Sequence, residues 1–315
     1  MVDLEEKQNT ECKTGCKKSE RKEVTLDDLC TECTSVDDNL ALRCVGSWGK
    51  QKVRYLVKYF EIFAVAVREH WPGGLNYIEI CSGPGRCINR EKGQEFNGTP
   101  LAIVKSDGFK FLKNAFFFDI NNNVVQSLNL RFDTLGKTNS HAYIGDYNNP
   151  DSICSVLKNK VANNQLNLIL IDPTDCSVPF DFIRTIKKDI KNADLIINVA
   201  IGTDFNRNIR NTLLNTENYK NVYSKYAAFL GSEKYFMNTA NVEYARNEDH
   251  QALRKSFRES YTDSLRELGY EFFGVHQIRN YYDLLYASKH PLGLNLWKKA
   301  NNINPDGQRE LGLNI

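Results

Sequence analysis

Five carboxylates and two glycines carry the chemistry that can be read from this 315-residue chain. Glu79 closes the apolar run Leu75 to Ile80 and precedes a bend holding Gly83, Pro84 and Gly85. Asp119, Asp146 and Asp172 each close a later apolar run, and Asp175 follows Asp172 in Asp172-Pro173-Thr174-Asp175. Two glycines, two positions apart after a strand, offer backbone amides clear of side chains and allow a close approach by a ligand. Acids at the tips of neighbouring strands can accept hydrogen bonds from sugar hydroxyls. Together they describe a nucleotide-like site at the carboxyl edge of a parallel sheet.

The spacing narrows the ligand. A dinucleotide fingerprint requires a third glycine where this chain has Ile88, and no Gly-Lys-Ser/Thr phosphate loop is present. Glu-x-x-x-Gly-x-Gly instead resembles the first motif of class I S-adenosylmethionine-dependent methyltransferases. That resemblance implies S-adenosylmethionine as cofactor. Gly83, Pro84 and Gly85 would line it, Glu79 would act at its amino-acid end, Asp119 would take the ribose hydroxyls and Asp146 would neighbour the adenine. The alternatives stay open: a tight strand-to-loop turn for the bend, and a helix cap for Asp119 and Asp146.

Asp172 and Asp175 are the candidates for orienting a methyl acceptor. Methyl transfer is an in-line displacement, in which the protein chiefly positions the two partners. Enzymes that methylate amines of nucleic acids have Asp/Asn-Pro-Pro-aromatic here, the aromatic ring stacking on a flipped base. Thr174 and Asp175 replace the second proline and the aromatic residue, so that stacking is lost. A proline-containing turn with a capping Asp explains the segment equally well.

The elements that must position these residues alternate in type. Strands are expected at 75–80, 115–119, 141–146, 166–171 and 194–200, with helical stretches at 99–113, 123–132, 150–160 and 180–191 between them. Near-continuous apolar strands between helices predict a three-layer Rossmann-like α/β sheet, mostly parallel and covered on both faces. Two further strands, 270–277 and 281–288, follow a helix over 249–268 and predict an antiparallel ending to the sheet. Residues 203–247, rich in Asn and Tyr, break the rhythm and predict a helical insertion. Residues 86–98 predict a long polar loop beside the glycine bend, of the kind that serves as a lid or a substrate contact.

The predicted organisation is an N-terminal cysteine-containing extension (1–46), a methyltransferase-like domain (47–300) and a C-terminal tail (301–315). Cys12, Cys16, Cys30 and Cys33 form two pairs whose spacing suits a structural zinc site. Unpaired thiols on a tail are the alternative, and the Cys-x3-Cys-x2-Cys of radical cluster enzymes is absent. A helix from Trp48 to Arg68 sets Val53, Leu56, Phe60, Phe63 and Val67 on one face. Lys50, Arg54 and Lys58 on another could follow a nucleic-acid backbone or form a solvated face.

Net charge is only +2, which by itself does not indicate a nucleic-acid binder. No apolar run is long enough to cross a membrane and the first residues are polar, so a cytoplasmic protein without an export signal or membrane contact is expected. Nine cysteines in such a chain read as reduced thiols.

From about Val45 to Ala300 the chain resembles the three-Cys-motif partner protein family. The resemblance lies in Val45-Gly46-Ser47-Trp48-Gly49-Lys50-Gln51-Lys52, Tyr77 to Arg86, Asn97-Gly98-Thr99-Pro100-Leu101-Ala102, Phe118-Asp119, Asp172-Pro173-Thr174, Tyr282 to His290, Pro291-Leu292-Gly293 and Trp297. It implies a methyltransferase-like fold, a partner protein encoded nearby and a setting in phage or mobile elements. Two functions follow: a methyltransferase acting on nucleic acid or a nucleotide together with its partner, or a binding subunit without chemistry. Hydrolysis of a nucleic acid would need more metal-binding carboxylates than Asp172 and Asp175 supply.

Overall fold

The structure, a computed structural model, describes residues 3–15 and 29–302, and for residues 203 and 204 the backbone alone. Cys16 and the 303–315 part of the expected tail lie outside the described residues. In chain order the strands are β1 (Lys7–Gln8), β2 (Arg43–Val45), β3 (Leu75–Ile80), β4 (Arg86–Asn89), β5 (Gln94–Asn97), β6 (Leu112–Asp119), β7 (Ser140–Ile144), β8 (Leu166–Ile171), β9 (Ala193–Val199), β10 (Phe272–Ile278) and β11 (Tyr282–Ser288). They form two sheets, one ordered β10-β11-β9-β8-β3-β6-β7 and the other β1-β5-β4-β2.

The seven-stranded sheet is mostly parallel. β3, β6 and β7 run parallel, whereas β11 is antiparallel to both β9 and β10. The chain therefore has the class I methyltransferase-like α/β sheet expected from its sequence. β3, β8 and β9 are buried at every position, which is why their sequences are mostly apolar rather than strictly alternating, with Asn76, Glu79, Asn167, Asp194 and Asn198 as buried polar exceptions. Among the described residues no helix is long and apolar enough to cross a membrane.

Two compact units divide the chain: Met1–Gly145 with Asn164–Ile169 and Asn295–Ile315, and Asp146–Asn163 with Leu170–Leu294. In the first, the helix Trp48–Val67 buries Val53, Leu56, Phe60, Phe63 and Val67, the face predicted by their spacing. Tyr55 and Tyr59 of that helix meet Trp297 edge-on. In the second, Phe229 stacks on Phe257 and Tyr261, and Tyr226 and Tyr235 meet Phe257 edge-on. The expected insertion is indeed helical, with helices at Asn206–Leu214, Lys220–Leu230, Lys234–Met237 and Thr239–Arg246.

Two local expectations fail. Residues 86–98 are no lid: β4 and β5 pair as an antiparallel hairpin with Gly93 at φ +62° in its turn, and β1 and β2 flank it. Its polar sequence is deceptive because the charges are paired inside. Glu95, at 0% exposure, accepts from Asn9 Nδ2 at 2.7 Å, Ser35 Oγ at 2.9 Å, Val36 N at 2.9 Å and Arg86 at 3.3 Å. The stretch expected as one helix over 99–113 is a short helix, Thr99–Lys105, then a 3₁₀ turn, Asp107–Phe111, and the start of β6.

Candidate functional site

The bend after β3 takes a left-handed conformation at alternate residues: φ is +64° at Cys81, +70° at Gly83 and +90° at Gly85. Glycine adopts such angles without cost, but a cysteine there is strained. The bend thus has three left-handed positions where the sequence shows two glycines, and nothing about Cys81 as a residue type could have revealed the third.

Asp119 sits at the tip of β6, next to β3 in the sheet. Its Oδ2 accepts the Gly83 N–H at 2.9 Å and its Oδ1 accepts the Asn121 N–H at 3.1 Å. The cap of the following helix is Asn121, whose side chain accepts from Asn123 N and Val124 N. Asp119 is therefore not the helix cap; it ties two strand tips together. Glu79 is buried at 1% exposure and accepts from Tyr77 Oη at 2.9 Å.

Two residues that sequence reasoning missed flank Asp119. Ile120 is 58% exposed and Ile144, paired with Asp119 in the β6–β7 ladder, is 55% exposed. Large apolar side chains left in solvent beside a buried carboxylate are what a flat aromatic ligand would cover. An apolar residue immediately after the strand-end acid was the signal available in the sequence.

Two arginines hold the bend from outside it. Arg131 Nη1 donates to Pro84 O at 2.5 Å and to Ala41 O at 3.0 Å, while its Nε and Nη2 grip both oxygens of Asp38 at 2.7 and 2.9 Å. Burial pushes the Asp38 carboxyl up, but the guanidinium of Arg131 and the Leu40 N–H outweigh it, leaving it below the usual carboxylate range. Arg43, on β2, donates from Nη1 to Cys81 O at 3.2 Å, and its Nη2 lies 3.7 Å from Asp119 Oδ2. Gly83 and Gly85 are themselves buried.

In the second unit, Asp146 forms a turn, accepting from Asn148 N at 2.8 Å, ahead of the helix Asp151–Lys160. Asp172, buried at the end of β8, accepts from Asn198 Nδ2 at 2.8 Å, and the same amide donates to Pro173 O at 3.0 Å. Asp175 is half-buried and faces Lys225 at 3.6 Å. Asn198 and Lys225 lie far from Asp172 and Asp175 in sequence, and no motif announced them.

Of the cysteines, Cys33 and Cys44 lie in an apolar cluster with Leu42 and Ile88, against which Cys12 and Cys30 pack. Cys30 Sγ is 3.6 Å from Cys33 Sγ. The hydrogen bond with Cys30, together with burial, raises the Cys33 thiol above its ordinary range. Among the described residues no group of three or more His, Cys, Asp or Glu is placed to hold a metal ion. The expected quartet includes Cys16, outside those residues. In the basic stripe, Lys50 pairs with Glu6 at 2.6 Å and Arg54 with the same carboxylate at 3.2 Å.

No family model and no curated protein sequence matches the chain. Among solved structures it is similar to EvdMO1, at 13% identity and a TM-score of 0.38 over 73% of this chain and 41% of that one. The chain thus spans less than half the length of that protein. It is also similar to a protein from Legionella pneumophila str. Philadelphia 1 (11% identity, TM-score 0.43, 79% and 91% of the two chains). A third is an S-adenosylmethionine-dependent methyltransferase from Aquifex aeolicus (11% identity, TM-score 0.35, 75% and 96%). At such scores these likenesses carry no argument about ligand or reaction.

Proposed function

We propose that the chain binds S-adenosylmethionine at the tips of β3 and β6 and acts as a methyltransferase on nucleic acid or a nucleotide, together with a partner protein. One observation carries the cofactor assignment. The amide of a left-handed bend and a buried carboxylate meet at 2.9 Å on adjacent parallel strands, beside the exposed Ile120. Asp119 would accept from the ribose hydroxyls, Ile120 and Ile144 would cover the adenine, and the bend would border the amino-acid end. The bound cofactor would supply an electrophilic methyl group. Asp172, fixed by Asn198, is assigned to orienting the acceptor, with Asp175 second; its pairing with Lys225 competes with that role.

The partner and the phage or mobile-element setting rest on the sequence resemblance to three-Cys-motif partner proteins. The nucleic-acid assignment draws on Lys50, Arg54 and Lys58, although Glu6 already neutralises part of that stripe. A structural zinc ion is a separate proposal. The 3.6 Å between Cys30 and Cys33 sulfurs is close to the roughly 3.8 Å edge of a tetrahedral zinc–thiolate site, and Cys16 would have to close on Cys12, Cys30 and Cys33. Metal analysis of the purified chain checks it, one zinc per chain being the expected result.

Calorimetric titration with S-adenosylmethionine tests the main reading, on wild type and on Ile120→Glu. Ile120 is largely solvent-exposed, so the substitution leaves folding unaffected while placing a charge where the adenine would lie. Binding by wild type and at least tenfold weaker binding by the variant is expected. Absence of heat in wild type would remove the enzyme and leave the alternative, a binding subunit without methyl transfer.

A further inference from the structure

Besides Arg131, which reaches Pro84 O, a second cation lies against the bend. Arg43 Nη1 donates to Cys81 O at 3.2 Å, and Arg43 Nη2 stands 3.7 Å from Asp119 Oδ2. Its guanidinium carbon lies 2.9 Å from where a Cβ on Gly83 would be, with Nε and Nη1 at 3.1 Å. The absent side chain of Gly83 therefore makes room for a guanidinium, which lies against the backbone that a ligand would have to approach. A carbonyl and a carboxylate converging on one cation form a seat for positive charge. S-adenosylmethionine would use both acceptors, Asp119 for its ribose hydroxyls and the Cys81 carbonyl for one of its two positive centres, the ammonium or the sulfonium.

We infer that Arg43 is an internal occupant of the cofactor's cation seat and that the cofactor enters only when this guanidinium withdraws. The inference rests on the S-adenosylmethionine reading above and adds its control. Arg43 is well placed for such a role because it sits on β2, a three-residue strand of the smaller sheet, rather than on the strands that form the site. Its neighbour Cys44 is anchored in the apolar thiol cluster, so the strand can stay docked while the Arg43 side chain swings. An internal cation that must leave lowers the ligand's apparent affinity by the fraction of time it is bound.

Arg43→Met keeps the apolar stem and removes the charge and donors; Arg43→Lys keeps a cation. Both are compared with wild type, each first shown by thermal melting to be folded. Two measurements are made: amide hydrogen exchange over residues 81–85 without ligand, and affinity for S-adenosylmethionine. Exchange at least fivefold faster in Arg43→Met, with affinity at least fivefold tighter and Arg43→Lys close to wild type, is expected. Unchanged exchange, or weaker binding by Arg43→Met, overturns the inference, the latter because Arg43 would then be a ligand contact. Faster exchange with no binding by any form supports Arg43 as the internal occupant and overturns the S-adenosylmethionine reading.

Discussion

At Gly85, φ is +90°, and an added methyl group would lie 2.7 Å from Leu128 Cδ1 and 3.0 Å from Leu101 Cγ. Both the backbone angle and the packing oppose any side chain. Gly85→Ala should lower unfolding free energy by about 2–4 kcal/mol, measured by denaturant titration; a loss below the error of that titration would show that the bend relaxes freely. Asp194 gives a residue-scale prediction away from the site. Burial pushes its carboxyl up to about 6, only partly offset by hydrogen bonds from Tyr286 Oη at 2.5 Å and Ser288 Oγ at 2.8 Å. The folded value exceeds the ordinary 3.8, so the fold holds the proton through that window. Its stabilising contribution is complete below about 3.8 and is lost as pH rises through about 6. Asp194→Asn removes the titration. Wild-type stability relative to the variant should therefore fall by on the order of 2 kcal/mol between about pH 4 and pH 7, and a flat difference would refute the assignment.

The hairpin of β4 and β5 is the element on which the N-terminal segment is organised. Glu95 receives donors from Asn9, Ser35, Val36 and Arg86, and Arg86 also reaches Asp37 at 3.2 Å. Glu95→Ala removes the fully buried one of the two carboxylates on Arg86 and leaves the donors of Asn9, Ser35 and Val36 unpaired, which should cost about 3–5 kcal/mol and speed proteolytic cleavage within residues 29–46. Cleavage at the wild-type rate would mean that the segment is held by its apolar contacts alone. These elements also mark what could be read in advance. β3, β8, β9 and the Ala115–Asp119 part of β6 were legible because their buried positions give mostly apolar runs. β1, β2, β4 and β5 were not, being two to four residues long and rich in Arg, Asn, Gln and Glu, whose burial depends on partners distant in sequence. The same cause hid Arg43, Arg131 and Asn198. Types and spacing announced Gly83 and Asp119; the contact between them required the fold.

At one end of the seven-stranded sheet the strand order inverts the chain order. β11, the later strand, lies inside the sheet between β9 and β10. Five consecutive pairs join Asp283–Ala287 of β11 to Leu195–Val199 of β9, and every residue of β9 is buried. A chain ending after Gly269 would leave the outer edge of β9 unpaired, an apolar edge open to pairing with other chains. Such a truncation should be recovered as aggregate, whereas one retaining residues up to 302 should stay in solution; sedimentation of the two separates the outcomes.

The same topology governs the protein's birth. On the ribosome, β9 emerges almost ninety residues ahead of the strand that must cover it, a delay of roughly 5–20 s at ordinary translation rates. Through that interval Asp-Leu-Ile-Ile-Asn-Val is a naked sticky ribbon, so a nascent-chain chaperone acting on this protein has its most useful moment between the synthesis of residues 199 and 288.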